Sequence, residues 1–201
     1  KAHQRKLKGY NTIVLKPGEE YKGQQTVDVI IDHLIAMGAN RHTILIGFGG
    51  GVITDITGFV AGIFMRGVKV GYIPSTLLAM VDAAIGGKNG IDVGVYKNMV
   101  GLIRQPSFLI YDYSLLKTLP LKEWQNGFAE IIKHACIKDA KMFAELSQQS
   151  IAKYQKQPLL LGALIKRNAV IKIKVVQEDE FETGERKLLN FGHTLGHAIE
   201  N

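Results

Sequence analysis

Two histidines four residues apart, His193 and His197, sit near the end of the chain in the run Leu188–Glu200, beside Gly192 and Gly196. On a helix they would share a face one turn apart and could grip the same object. The glycines would let that object approach the backbone. An isolated pair at this spacing also occurs at helix ends as two partly buried rings, so its meaning depends on the rest of the chain. Three further stretches carry unusual chemistry: the turn Gly47–Gly51, the lysine-bearing segment Gly86–Gly90, and the run Glu130–His134.

The elements that position these residues follow from periodicity. Gln25–Gly38 reads as a helix, with apolar residues at helical spacing and Gly38 at the cap. Thr43–Ile46 is a short buried strand, and Val52–Phe64 an almost wholly apolar helix. The glycine turn between them could cradle a phosphate against a helix start, or could simply be a close-packed strand–helix junction. It matches neither the dinucleotide fingerprint nor the P-loop, because Val52 stands where a third glycine belongs and no Lys-Ser/Thr pair follows. Asn11–Lys16, Val68–Ile73 and Ser107–Tyr111 read as strands and Ser75–Ala84 as a helix. Gly86–Gly90 reads as a flexible loop, Lys97-Asn98 as a polar turn and Asp112–Pro120 as a connector.

Beyond Leu121 no strand is expected and the texture turns helical, which places a domain boundary near Pro120. Residues 1–120 then form an α/β domain with a mainly parallel, Rossmann-like sheet, and residues 121–201 the start of a helical domain. On the helix Glu123–Ile137, Glu130, Lys133 and His134 share a face. They read either as a solvated intrahelical ion pair or as part of an enclosed site. Arg167, Lys172 and Lys174 follow on another helix, then the acidic loop Glu178–Glu182, and then Arg186 and Asn190 ahead of the histidines.

Composition narrows the function classes. The chain has 201 residues, 46% hydrophobic and 21% charged, in the range of a globular protein. Its net charge of +7 is scattered, without a basic stripe interleaved with aromatics, so nucleic-acid binding is set aside in favour of anionic small molecules. The single cysteine, Cys136, excludes an intramolecular disulfide and a cysteine-based zinc site, and fits a cytoplasmic setting. No apolar run reaches the roughly 20 residues of a membrane span. The chain opens at Lys1 and stops inside an expected helix, so both ends read as cut.

Seven stretches together resemble the 3-dehydroquinate synthases of the sugar-phosphate cyclase superfamily. They are Gly49–Asp55, Met65-Arg66-Gly67, Pro74–Ala79, Gly86-Gly87-Lys88, Lys97-Asn98, Ala129-Glu130 with Lys133, and Asn190–Ala198, all in the family's order and at similar spacing. The resemblance implies an NAD- and zinc-dependent lyase of the shikimate pathway of aromatic amino acid biosynthesis. It would convert 3-deoxy-D-arabino-heptulosonate 7-phosphate to 3-dehydroquinate and phosphate, in a site between a nucleotide-binding domain and a helical metal domain. Related cyclases and metal-dependent polyol dehydrogenases are the alternatives. Family members run longer at both ends, so the chain as given is expected to be an inactive central piece, with a noncatalytic NAD-binding fragment as a further alternative.

The resemblance assigns Glu130 and His193 as ligands of zinc (or cobalt), with a third histidine beyond Asn201. It places Arg66, Lys88, Asn98, Lys133, Lys172, Arg186, Asn190 and His197 around the substrate, His197 without a metal-ligand role. For NAD it implies Gly18, Glu19, Glu20, Tyr21, Lys22, Gly50, Gly51, Val52, Ile53, Thr54, Asp55, Ser75, Thr76, Asp82, Lys88, Lys97, Leu115, Leu116, Lys117 and Thr118. The implied partner is a small anionic sugar phosphate, with no nucleic acid or membrane, and with a homodimer among the assemblies allowed. Ser75 replaces a usual threonine, Ala83-Ala84 usual serines, and Asn89 a usual threonine.

Overall fold

The computed structural model describes residues 9–192 and Gly196; His193 and His197 lie outside them. Helix α1 (Gln24–Ala36) buries Val27, Ile30 and Leu34, its three- and four-residue spacing, and Gly38 follows with φ 70°, the left-handed conformation that ends helices. Strand β1 (Ile44–Gly49) leads through Gly50 into helix α2 (Gly51–Ile63), and β2 (Lys69–Pro74) follows. β1 and β2 pair in parallel from Ile44↔Lys69 to Gly49↔Pro74. The short β5 (Phe108–Leu109) adds to the other side of β2, also parallel, in the order β1-β2-β5. α2 is apolar nearly all round because it is covered on more than one side: by the sheet, and by an antiparallel hairpin of β3 (Lys88–Val93) and β4 (Tyr96–Ile103).

The structure corrects four local expectations. Residues 11–16 form no strand: Ile13 and Leu15 pack against the first core but find no ladder partner, so their alternation reports burial alone. Only Gly86 and Gly87, with φ of 101° and 72°, make a turn, and Lys88-Asn89-Gly90 already belong to β3. Lys97 and Asn98 lie in β4, the hairpin turn being Gly94-Val95. The segment after Ser75 contains a π-helical turn, Ala79–Ala83. Such turns are rare and concentrate at functional sites, because the extra residue re-aims side chains that an α-helix would direct elsewhere.

From α3 (Leu121–Lys138) onward the described chain is helical: α4 (Ala140–Ser147), α5 (Ile151–Lys156) and α6 (Pro158–Glu178), which opens with proline at its first turn. Two hydrophobic clusters result. The first joins α1, α2 and the sheet around Val27, Ile56, Val60 and Tyr72. The second holds Trp124, Phe128, Ile131, Met142 and Ile165, together with Leu77, Met80 and Val81 from the segment around the π turn. That segment therefore belongs by packing to the helical core; Asp82 faces Lys172 of α6 and His134 of α3, and Ala83 lies next to Gly51 at the start of α2. Among the described residues no helix is long and apolar enough to cross a membrane.

Candidate active site

Asp82, at the end of the π turn, is the point where the two parts of the chain meet. Lys172 of α6 donates from Nζ to its carboxylate at 2.6 Å and to its backbone carbonyl at 2.8 Å. His134 of α3 brings Nε2 to 3.7 Å from the same carboxylate oxygen. Burial opposes the charge on Asp82, yet the Lys172 ammonium, His134 and the nearby Lys133 together hold its carboxyl well below the usual range. Burial pushes the Lys172 ammonium the other way, below its ordinary value, against the pull of Asp82.

One helical turn before His134, Glu130 pairs with Lys133. The intrahelical pair allowed by the sequence thus forms, but buried: the two side chains are only 17% and 8% exposed. Glu130 Oε2 meets the lysine without hydrogen-bond geometry and is otherwise unpartnered among the described residues. Ligand atoms of Glu130, Asp82 and His134 all lie within 4.8 Å of one another. A buried, weakly satisfied carboxylate with a second carboxylate and an imidazole close by is a donor set that suits a hard or borderline divalent cation. Glu130 therefore fits the ligand role expected of it, and His193 lies outside the described residues.

A second cluster lies on the other side of Gly86-Gly87. Lys88 pairs with Glu182, and Asn190 donates to the same carboxylate at 2.9 Å. Burial works against charge on Glu182, but the bonds from Lys88 and Asn190 prevail and keep it below the usual carboxylate range. Arg186 is 2% exposed and donates from Nη2 to the Gly86 carbonyl at 2.8 Å and from Nη1 to the carbonyl of Glu180. Asp179 organises this loop by accepting the backbone N–H groups of Thr183, Gly184 and Arg186. Glu182 was missed as a site residue because its partner Lys88 is 94 positions away; the acidic run Glu178–Glu182 was its only trace.

A third group gathers at Lys22, which is 4% exposed. Its Nζ lies 2.6 Å from Asp55 of α2, 3.8 Å from Glu19, and 2.7 Å from the Asn98 side-chain oxygen. Asn98 adopts φ 56° and its N–H is held by Asp92, so the bulged hairpin aims it at the lysine. Burial raises the Asp55 carboxyl to about 6, although Lys22 pulls it down.

The glycine turn has a packing explanation first. A Cβ on Gly49 would meet Ile53 at 2.5 Å, one on Gly50 would meet Thr76 at 3.1 Å, and one on Gly51 would meet Ala83 at 3.2 Å. The start of α2 nonetheless lacks a side-chain cap at Gly50, which leaves first-turn N–H groups for an anionic ligand such as a pyrophosphate. Thr54 spends its hydroxyl on the Gly51 carbonyl, Ser75 ties its N–H to Gly49, and Thr76 accepts from Ala79. Gly18, with φ 123°, introduces the turn Glu19–Tyr21 that delivers Lys22. Val52 and Ile53 lie on the first turn of α2.

Several expected residues stand apart. Arg66 is exposed, in left-handed backbone after α2, and makes no ion pair or hydrogen bond with these clusters among the described residues. Lys97 is exposed on β4. Leu115, Leu116, Lys117 and Thr118 lie in a 3-10 segment; Leu116 is buried in the helical core, whereas Lys117 and Thr118 are exposed. His197 lies outside the described residues.

Comparison with known proteins fits this geometry. Residues 12–126 match the family model for the 3-dehydroquinate synthase N-terminal region, and residues 127–201 the model for its C-terminal region. A 3-dehydroquinate synthase of Psychrobacter cryohalolentis is 47% identical over 203 residues, covering 100% of this chain and 55% of that protein. One of Nitrosospira multiformis is 46% identical, covering 94% of this chain and 52% of its own length. The chain thus spans about half the length of the curated relatives it matches. Among solved structures, 2-epi-5-epi-valiolone synthase from Streptomyces hygroscopicus subsp. jinggangensis, with NAD+ and Zn2+ bound, superposes with a TM-score of 0.87 at 33% identity, covering 93% of this chain and 53% of that one. A 2-deoxy-scyllo-inosose synthase complexed with carbaglucose-6-phosphate, NAD+ and Co2+ gives 0.85 at 33%, covering 94% and 51%. An α/β chain with a parallel sheet feeding a helical part, matched by family models along nearly its whole length, belongs to the 3-dehydroquinate synthase family.

Proposed function

We propose that this chain carries the central part of a 3-dehydroquinate synthase. The enzyme uses NAD and zinc to convert 3-deoxy-D-arabino-heptulosonate 7-phosphate to 3-dehydroquinate and phosphate, in the shikimate pathway and in the cytoplasm. The observation that carries this reading is the convergence on Asp82 of Lys172, Lys133, Glu130 and His134, beside an uncapped helix start. When bound, the metal supplies Lewis acidity at a substrate hydroxyl, and the nicotinamide supplies reversible hydride acceptance.

The chain's own residues do the rest. Lys22, Asp55 and the α2 start hold the dinucleotide, its pyrophosphate against the first-turn N–H groups. Lys172 and Lys133 each have a carboxylate partner and orient the anionic substrate. Lys88 and Asn190 face the substrate from the other side. Glu182 keeps them in place. His193 is a second metal ligand beside Glu130, and His197 serves proton transfer near the phosphate. A division near Pro120, with residues 1–120 binding NAD and 121–201 binding metal and substrate, accords with where these groups originate.

The identities of 46% and 47% to dehydroquinate synthases, against 33% to two cyclases that close other rings, favour this substrate. The test is phosphate release from 3-deoxy-D-arabino-heptulosonate 7-phosphate by the full-length protein. Release that requires both NAD and zinc is expected. A folded, NAD-binding protein that releases none would move the assignment to a related cyclase or a dehydrogenase.

A further inference from the structure

The proposed cyclase chemistry gives His134 no task, although it is wholly buried and stands against Asp82. Its Nδ1 lies 3.3 Å from the Oδ1 of Asn168, also wholly buried. The Asn168 amide has no freedom to turn over, because its Nδ2 donates to the Leu164 carbonyl at 2.9 Å. Its oxygen must therefore accept, so the neutral imidazole carries its proton on Nδ1 and its lone pair on Nε2. That Nε2 is enclosed without a hydrogen-bond partner among the described residues, 3.7 Å from Asp82 Oδ1. Lys172 donates to this carboxylate oxygen at 2.6 Å, but no donor is left for Nε2, and an acceptor enclosed in this way is costly unless a cation reaches it. Glu130 Oε2, one helical turn earlier, is the other orphaned acceptor of this neighbourhood. Ligand atoms of Asp82, Glu130 and His134 lie within 4.8 Å of one another.

We infer that Asp82, Glu130 and His134 form a binding site for a borderline divalent cation such as Zn2+ or Co2+, with the Nε2 of His134 as its imidazole ligand. Two carboxylates and one imidazole suit such an ion. The bond from Nδ1 to Asn168 is the support that metal-ligating histidines have: an outer acceptor that fixes the tautomer and the plane of the ring. Ligand atoms about 2.0–2.2 Å from a tetrahedral centre stand ~3.4 Å apart, so the site closes on the ion with side-chain movements of about an ångström. Lys133, whose contact with Glu130 lacks hydrogen-bond geometry, yields that carboxylate to the ion, while Lys172 keeps its hold on the Asp82 backbone carbonyl. The site needs no histidine outside the described residues, and it rests on the cyclase reading only in sharing Glu130 with the metal role proposed there.

The experiment titrates the metal-stripped full-length protein with Co2+ alone, without NAD or substrate, and reads visible absorption and stoichiometry. In His193→Ala, Co2+ is expected still to bind. Adding His134→Phe or Asp82→Asn to that variant should weaken binding by more than about 100-fold, and adding Asn168→Leu by roughly 10- to 100-fold, the usual cost of losing an outer partner. Loss of Co2+ binding in His193→Ala, or an unchanged affinity on adding His134→Phe, would overturn the proposal. If the buried substitutions unfold the protein, the position of the ion decides. In crystals of His193→Ala soaked with Co2+, the anomalous peak should lie about 2.0–2.2 Å from the Nε2 of His134, and an ion bound elsewhere refutes the site. Phosphate release by the wild type tests the cyclase reading separately, because Co2+ binding at His134 is read without substrate or turnover.

Discussion

Asp55 and Asp82 are both partly buried carboxylates with a lysine at 2.6 Å, yet they respond to pH in opposite senses. For Asp55, burial outweighs Lys22 and lifts the carboxyl to about 6, above its value in an unfolded chain. Between about pH 4 and 6 the folded state then holds a proton that the unfolded state has released, so stability falls as pH rises through that window and levels off above it. At about 1.4 kcal/mol per unit this is at most ~3 kcal/mol. Urea unfolding at pH 4, 5, 6 and 7 should show this decline in the wild type and a flatter profile in Asp55→Asn. A decline of the same size in the variant would assign it to another group. Asp82, held low, contributes stability that is complete above about pH 4 and is lost only as pH falls below it. The same contrast shows what a sequence can convey at this scale. Both aspartates were marked as cofactor residues by resemblance, but nothing in their neighbours along the chain signals which charge burial or a distant lysine will dominate.

A polar knot at Asn89 ties the hairpin β3–β4 to the sheet. Asn89 accepts from the Tyr72 hydroxyl at 2.7 Å and donates to the carbonyls of Gly87 and Arg104 at 2.6 and 3.1 Å. Gly58 of α2 lies directly beneath, and a Cβ there would collide with the Asn89 and Tyr72 side chains. Gly58→Ala should therefore cost about 1–3 kcal/mol in urea unfolding, the usual range for overpacking. A change below a few tenths would show that the knot yields without loss. Helices α1 and α2 and strands β1 and β2 were legible because their burial is periodic or continuous. The hairpin was not. Gly86–Gly90 has the composition of a loop, and β4 is exposed along nearly its whole length, so neither strand shows the alternation a half-buried strand requires. The π turn was also illegible as such, since it arises where Leu77, Met80 and Val81 seek the helical core while Asp82 must face Lys172.

Lys172 of α6 donates to a carboxylate oxygen and to the backbone carbonyl of Asp82 across 90 residues of chain, tying α6 to the segment around the π turn, whose next residue, Ala84, belongs to the first hydrophobic cluster. Trp124, the chain's only tryptophan, is 3% exposed in the helical cluster and reports on that cluster alone. In Lys172→Met the denaturation midpoint read by Trp124 fluorescence should separate from that read by far-ultraviolet circular dichroism, while the two coincide in the wild type. Coincident midpoints in the variant would show that apolar packing by itself makes the clusters cooperative. Gly51 and Ala83 touch so closely that a methyl group on Gly51 would come within 3.2 Å of the Ala83 side chain. A side chain at position 51 would therefore press on the turn that carries Asp82. On the proposed reading, a dinucleotide that displaced the start of α2 would press on the same turn, and through it on Lys172, which would link occupancy of the nucleotide end to affinity at the anion end. By reciprocity, each ligand must tighten or loosen the other by the same factor.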